Sequence, residues 1–168
     1  DVANYRDEPQ FTLPSMVGAH NWHPMAYHPE HQLMYIPTIE QGFEFKANDE
    51  FANEGTLHTG VAMSMGRADP LLFKVVQKAT HIGSIVAWDP VAQTERWRVD
   101  FDKPWSMSLL VTAGNLLFQG SHDGWLKAYR ADTGELVWQS LTQIAAMAPP
   151  ITYTVDGEQY IAIMAGWG

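Results

Sequence analysis

Cysteine is absent from the 168 residues, which excludes a disulfide framework, haem attachment through a cysteine pair and thiol chemistry. Charge is sparse at 17%, and basic charge is sparser still: 10 Lys and Arg stand against 19 Asp and Glu, a net charge of −9. An acidic chain without a basic cluster is a poor partner for nucleic acid or an anionic membrane surface. No apolar run approaches the roughly 18 residues a membrane span requires. No stretch keeps a 3.6-residue apolar period either, so the expected helix content is low. An initiating Met and a leader-like segment are lacking as well. The chain opens on Asp1-Val2-Ala3-Asn4-Tyr5 and reads as an internal piece of something longer.

Apolar residues, by contrast, make up 46% of the chain and aromatics 12%, with 7 Trp. This composition excludes disorder and favours a fold that uses flat side chains as repeated packing units. The C-terminal half is a series of short apolar runs separated by turn formers. Leu109–Thr112 and Leu116–Gln119 flank Ala113-Gly114-Asn115, Trp125–Arg130 follows Asp123-Gly124, and Glu135–Gln139 follows Asp132-Thr133-Gly134. Runs of this length with Gly or Asp-Gly between them predict tight antiparallel hairpins. Four strands in one meander make one propeller blade.

A repeat supports this reading. Ala128-Tyr129-Arg130-Ala131-Asp132-Thr133-Gly134-Glu135-Leu136-Val137-Trp138 parallels Ala87-Trp88-Asp89-Pro90-Val91-Ala92-Gln93-Thr94-Glu95-Arg96-Trp97, and the two terminal tryptophans lie 41 residues apart. That period suits a four-stranded blade. A degenerate third repeat is read at Ala26–Tyr35, with Ile36 in place of the tryptophan. Its alanine precedes Ala87 by 61 residues, which implies an insertion of about 20 residues within roughly 41–80. Pro150–Ala165 reads as one more hairpin around Asp156-Gly157. The expected fold is therefore all-β: a partial β-propeller of about three four-stranded blades plus the first strands of an unfinished one. Residues 1–168 would form a single propeller segment carrying the inserted loop. An unfinished blade exposes strand edges, so the missing strands are expected from elsewhere in a longer chain or from a companion chain.

Ala-x-Asp-x-x-Thr-Gly-x-x-x-Trp resembles the tryptophan-docking repeat of the eight-bladed quinoprotein dehydrogenases, with Arg130 and Ala92-Gln93 as departures. Gly18-Ala19-His20-Asn21-Trp22-His23-Pro24-Met25 is similar to the Asn-Trp-x-Pro-Met stretch of the alcohol dehydrogenases that use pyrroloquinoline quinone (PQQ). Val86–Pro90, Thr112–Gly120 and the closing strands follow in the same order, so the resemblance covers nearly the whole chain outside the insertion. It implies the C-terminal part of a periplasmic propeller that oxidises alcohols to aldehydes by hydride transfer to PQQ. A Ca²⁺ ion polarises the quinone and an Asp acts as base. The calcium ligands and the base are expected outside this segment, so no catalytic or metal-binding residue is assigned here. The implied partners are a small alcohol, the remaining blades and a cytochrome electron acceptor.

Alone, Asn21 and Trp22 read as a turn-capping amide and a core tryptophan; the resemblance implies instead that both touch PQQ. It also places Trp105 at the mouth of the cofactor chamber. Where relatives continue with paired glycines, this chain has Met107-Ser108, side chains that are expected either to narrow the pocket or to alter cofactor binding. His20, His23, His28 and His31 form two His-x-x-His pairs, but odd spacing at a strand entry sends side chains to opposite faces, so no metal site is expected. Asp123, Asp132 and Asp156 read as turn formers, and Asp49–Glu54 as a solvated loop. Two other readings remain: a cofactor-free propeller scaffold for protein assembly, and a quinoprotein acting on sugars or polymeric alcohols.

Overall fold

The computed structural model describes residues 4, 6–48, 82–103 and 108–166, together with the backbone of 61–64. Every regular element among them is a strand. In chain order these are β1 (Gln10–Thr12), β2 (Ala26–His28), β3 (Leu33–Ile39), β4 (Phe43–Ala47), β5 (Val61–Ser64), β6 (Gly83–Asp89) and β7 (Thr94–Phe101). Then follow β8 (Ser108–Thr112), β9 (Leu116–Gly120), β10 (Trp125–Arg130), β11 (Leu136–Leu141), β12 (Ile151–Val155) and β13 (Glu158–Ala162).

Residues 1–19 and 40–80 make up one compact unit. Its sheet is antiparallel in the order β1-β4-β5. The Phe11 ring fills the space that a Cβ at Gly42 would need, and the Ser15 N–H donates to the Gln41 carbonyl at 2.7 Å. The stretch read from the sequence as an inserted loop therefore contributes β4 and β5 to a sheet.

The second unit, residues 20–39 and 81–168, holds two four-stranded antiparallel sheets and a hairpin. The first sheet runs β2-β3-β6-β7, the second β8-β9-β10-β11, and β12-β13 stand as a pair. Turn chemistry sets these hairpins. Asp156 and Gly157 both take positive φ (50° and 85°), the two-residue turn whose twist matches that of the flanking strands. Asn115 (φ 61°) reverses β8 into β9, and Gly134 (φ 77°) reverses β10 into β11.

The repeat seen in the sequence is also a repeat of register. Ala87 pairs with Trp97 and Ala128 with Trp138, and each pair is followed by a bulge on the tryptophan strand, at Arg96 and Val137 respectively. The segment at Ala26–Tyr35 is not a third member of this series. Ala26 pairs with Tyr35 inside β2-β3, the first hairpin of the same sheet that contains Ala87 and Trp97. Both kinds of hairpin obey the same turn chemistry, which is why their sequences look alike. The correction also changes the size of the excursion. Tyr35 and Ala87 are paired across 52 residues, whereas their counterparts Phe118 and Ala128 are paired across 10, so about 42 residues are added between β3 and β6.

The two sheets meet along their first strands, β2 against β8. Leu33, Tyr35, Ile85 and Ala87 from one sheet are buried with Leu109, Leu117, Tyr129 and Ala131 from the other. Trp97 closes this interface: its indole N–H donates to the Ala131 carbonyl at 3.0 Å, and its ring lies over Gly134. Tyr35 donates to the same carbonyl at 2.9 Å and packs beside Trp97 with ring centres 5.6 Å apart. Burial pushes the Tyr35 and Tyr129 hydroxyls up, with Asp132 and Asp123 respectively adding to the effect, so both stay protonated donors. Tyr129 donates to the fully buried Gln119 at 3.0 Å.

Candidate functional site

The segment from His20 to Met25 leads into β2, the edge strand along which the two sheets converge. Pro24 and the bend before it keep this stretch out of the strand ladder, so successive side chains are not forced to alternate faces. His20 bridges to the Pro37 carbonyl of β3 through Nδ1 at 2.7 Å. The Asn21 side-chain carbonyl accepts the Trp22 backbone N–H at 2.8 Å, which fixes the orientation of the amide against the main chain.

Trp22 is 59% exposed, so it is not a core tryptophan. Its ring stacks on His23 with centres 4.0 Å apart and planes 24° from parallel. His23 is buried at 1% exposure, and burial, reinforced by the nearby His20, holds its imidazole below the usual histidine value. The arrangement is a flat aromatic surface presented to solvent, backed by a buried neutral ring and flanked by an amide. Such a surface suits a planar, oxygen-rich ligand: the indole offers a stacking face and the amide both donates and accepts.

Trp105 lies outside the described residues, as do Met107 and the acidic stretch Asp49–Glu54. In the sequence Trp105 stands three positions ahead of β8, much as Trp22 stands four ahead of β2. The four histidines do not converge. His20 is exposed and His23 buried, while His28 and His31 stack on each other at 4.2 Å, with His31 Nε2 2.9 Å from Asn115 Oδ1. Among the described residues no group of three His, Cys, Asp or Glu is placed to hold a metal ion. The aspartates serve turns: Asp132 accepts from Arg130 at 2.6 Å and 3.0 Å, and Asp123 pairs with Lys127 at 3.6 Å. The sequence offered no signal for the support His23 gives Trp22, because adjacent residues in a strand do not face each other.

Four-stranded antiparallel sheets repeated at a fixed register and locked by a tryptophan over the next turn are blades of a β-propeller. The family model for the glucose/ethanol/alcohol dehydrogenase β-propeller domain of PQQ proteins matches residues 79–161. The quinohemoprotein alcohol dehydrogenase of Comamonas testosteroni is 38% identical across 99% of this chain and 24% of its own length. The quinohemoprotein alcohol dehydrogenase ADH IIB of Pseudomonas putida is 41% identical across 98% of this chain and 23% of its own length. Among solved structures, that of P. putida ADHIIG superposes with a TM-score of 0.78 at 39% identity, covering 95% of this chain and 24% of that one. The chain belongs to the quinoprotein alcohol dehydrogenase family, as a piece of its propeller. It spans about a quarter of the length of these relatives.

Proposed function

We propose that this chain forms one wall of the cofactor chamber in a PQQ- and calcium-dependent alcohol dehydrogenase, with Asn21, Trp22 and Trp105 as cofactor contacts. The observation that carries the reading is the exposed Trp22 ring, held flat on buried His23 next to the Asn21 amide at the converging edge of two blades. When bound, PQQ supplies a hydride acceptor whose quinone is polarised by Ca²⁺, which turns an alcohol into an aldehyde. Trp22 covers one aromatic face of the cofactor and excludes water from it. Asn21 orients the cofactor through its oxygen-bearing edge. The buried His23 ring backs the indole and holds it flat. The calcium ligands and the base come from parts of the propeller outside these residues, and the enzyme works in the periplasm on a small alcohol, passing electrons to a cytochrome.

The test is a titration of the complete propeller with PQQ and Ca²⁺, read by absorbance, for the native chain and for Trp22→Ala and Asn21→Leu. Losing a stacked aromatic or a paired amide at a closed site is worth about 1–3 kcal/mol, so each variant should bind PQQ about tenfold or more weakly. Unchanged PQQ affinity in a variant carrying both substitutions would refute the assignment.

A further inference from the structure

Ser108 opens β8 at a place where the family pattern has glycine, so its side chain is expected either to narrow the pocket or to alter cofactor binding. The structure sends it away from the pocket. Ser108 is fully buried, and its hydroxyl donates to the Met147 carbonyl. In the ladder it stands opposite Gly120, so both residues belong to one face of the sheet. Phe118, two residues before Gly120, lies on the same face and packs against Ile161 and Ile163 of the following hairpin. A Cβ at Gly120 would run into the Ala146 carbonyl. One member of the pair therefore grips residues 146–147 with a hydroxyl, and the other leaves them room.

The connection held in this way runs from β11 into β12. Met147 stands four positions ahead of β12, as Trp22 stands four ahead of β2 and Trp105 three ahead of β8. It is the third approach of the chain to the first strand of a sheet. Ala146 and Met147 are buried, at 0% and 4% exposure. The Ala146 N–H donates to the Ser121 carbonyl at 3.0 Å, and the Thr142 N–H to the Gly124 carbonyl at 2.8 Å. Ala145 and Ala148 remain half-buried at the surface of the connection. Methyl groups give an oxygen-rich cofactor no polar handle, so this wall acts through where its backbone stands.

We propose that Ser108 is a positioning residue of the cofactor chamber: by holding the Met147 carbonyl it fixes the 143–149 connection as the wall that follows those of Trp22 and Trp105. Ser108 touches no cofactor and acts through the connection alone. A wall that is already in place need not be ordered when the cofactor arrives, which removes that ordering cost from binding. Without the hydroxyl, a buried carbonyl loses its partner, and the connection must shift or open to find another. The departure from glycine thus replaces an open position with a tie between the second sheet and the next approach. The inference rests on the cofactor-wall reading and adds a residue that this reading does not contain.

The test uses the complete enzyme carrying Ser108→Ala or Ser108→Gly. Hydrogen exchange of the peptide 143–150 is read by mass spectrometry, and PQQ affinity by absorbance titration. In Ser108→Ala, exchange in that peptide should rise about tenfold, while the peptide covering β9 and β10 keeps its rate. PQQ should bind about five- to tenfold more weakly in the same variant. Ser108→Gly should show both changes to a smaller degree, because the vacated space admits a water to the Met147 carbonyl. It also carries the test if the alanine variant fails to fold. Gly157→Ala is a destabilising change at the far end of the β12-β13 hairpin, with open space around it, and should leave PQQ affinity unchanged. Unaltered exchange in 143–150, or faster exchange with unaltered PQQ affinity in both variants, overturns the proposal. An equal loss of affinity in Gly157→Ala does so too, because the effect is then one of stability. If Trp22→Ala and Asn21→Leu together leave PQQ affinity intact, the cofactor-wall reading beneath it fails instead.

Discussion

Gly134 and Gly157 occupy the same left-handed region, at φ 77° and 85°, but only one has a tryptophan beneath it. That makes them a matched pair for measuring the docking contact. Alanine at either position adopts a conformation unfavourable by about 1–2 kcal/mol. At Gly157 nothing lies within 4 Å of the new Cβ, so the loss should stop there. At Gly134 the Cβ would meet Trp97 at 2.7 Å, 2.9 Å and 3.2 Å from three ring carbons. The ring has little freedom to retreat: its N–H is tied to the Ala131 carbonyl and Tyr35 packs beside it. Overpacking of this kind adds about 1–3 kcal/mol. Gly134→Ala should therefore destabilise by about 2–5 kcal/mol, against about 1–2 kcal/mol for Gly157→Ala. Equilibrium urea unfolding of both variants measures this as a difference in midpoint at constant slope. In a Trp97→Leu background the extra loss at Gly134 should disappear, which a double-mutant cycle isolates. Equal losses at the two glycines, or an unchanged loss without Trp97, would refute the docking argument.

Two further expectations concern pH. The Asp132 carboxyl is held down to about 2, chiefly by its hydrogen bonds from the Arg130 guanidinium, with Asn115 assisting. A carboxyl lowered in the folded state stabilises fully above its ordinary value of 3.8, and that contribution is lost as pH falls toward about 2. Arg130→Ala should flatten the pH dependence of stability across this window, as acid titration of unfolding would record; an unchanged profile would exclude the pair as its source. His23, lowered mainly by burial and then by His20, resists protonation in the fold. Stability should be complete above its ordinary value of 6.5 and decline as pH falls below it, with an NMR titration midpoint for His23 under 6.5. A midpoint at or above that value would contradict the neutral ring beneath Trp22.

Much of the blade structure is legible because turns declare themselves locally. Asp156-Gly157, Asn115 and Gly134 need positive φ, and the residue types that tolerate it are few. The alanine-to-tryptophan spacing is legible for a steric reason. Ala87 and Ala128 sit opposite the tryptophans in the ladder and are almost fully buried, so the position admits little more than a methyl group. The extent of the excursion after β3 is not readable in this way. Its first strand, β4, pairs with β1, which lies more than thirty residues earlier in the chain, and local pattern does not encode a distant partner. The likeness of Ala26–Tyr35 to the repeat misleads for a related reason: local chemistry fixes that a hairpin forms, while only the ladder fixes which hairpin of the blade it is. At the candidate site the sequence yields Asn21 and Trp22 as ligand types but not the stack on His23, which depends on an irregular entry into β2.

The register also gives each blade a direction. The tryptophan donor on the last strand projects from one face, and the small-residue acceptor turn that receives it belongs to the following blade, as Trp97 and Gly134 show. Such an interface is heterologous and can propagate in one sense only. Among the described residues the series has a good acceptor in the second blade and a half-exposed donor, Trp138, on its far face. The first blade's own turn departs from the acceptor pattern at two places, Pro90 for Ala131 and Gln93 for Gly134, while Asp89 caps it by accepting the Val91 and Ala92 N–H groups at 3.0 Å and 2.9 Å. A tryptophan docked there as Trp97 is docked would meet the Gln93 Cβ. The two ends of the series are therefore chemically distinct, and one copy's Trp138 does not fit the first blade of another in this way.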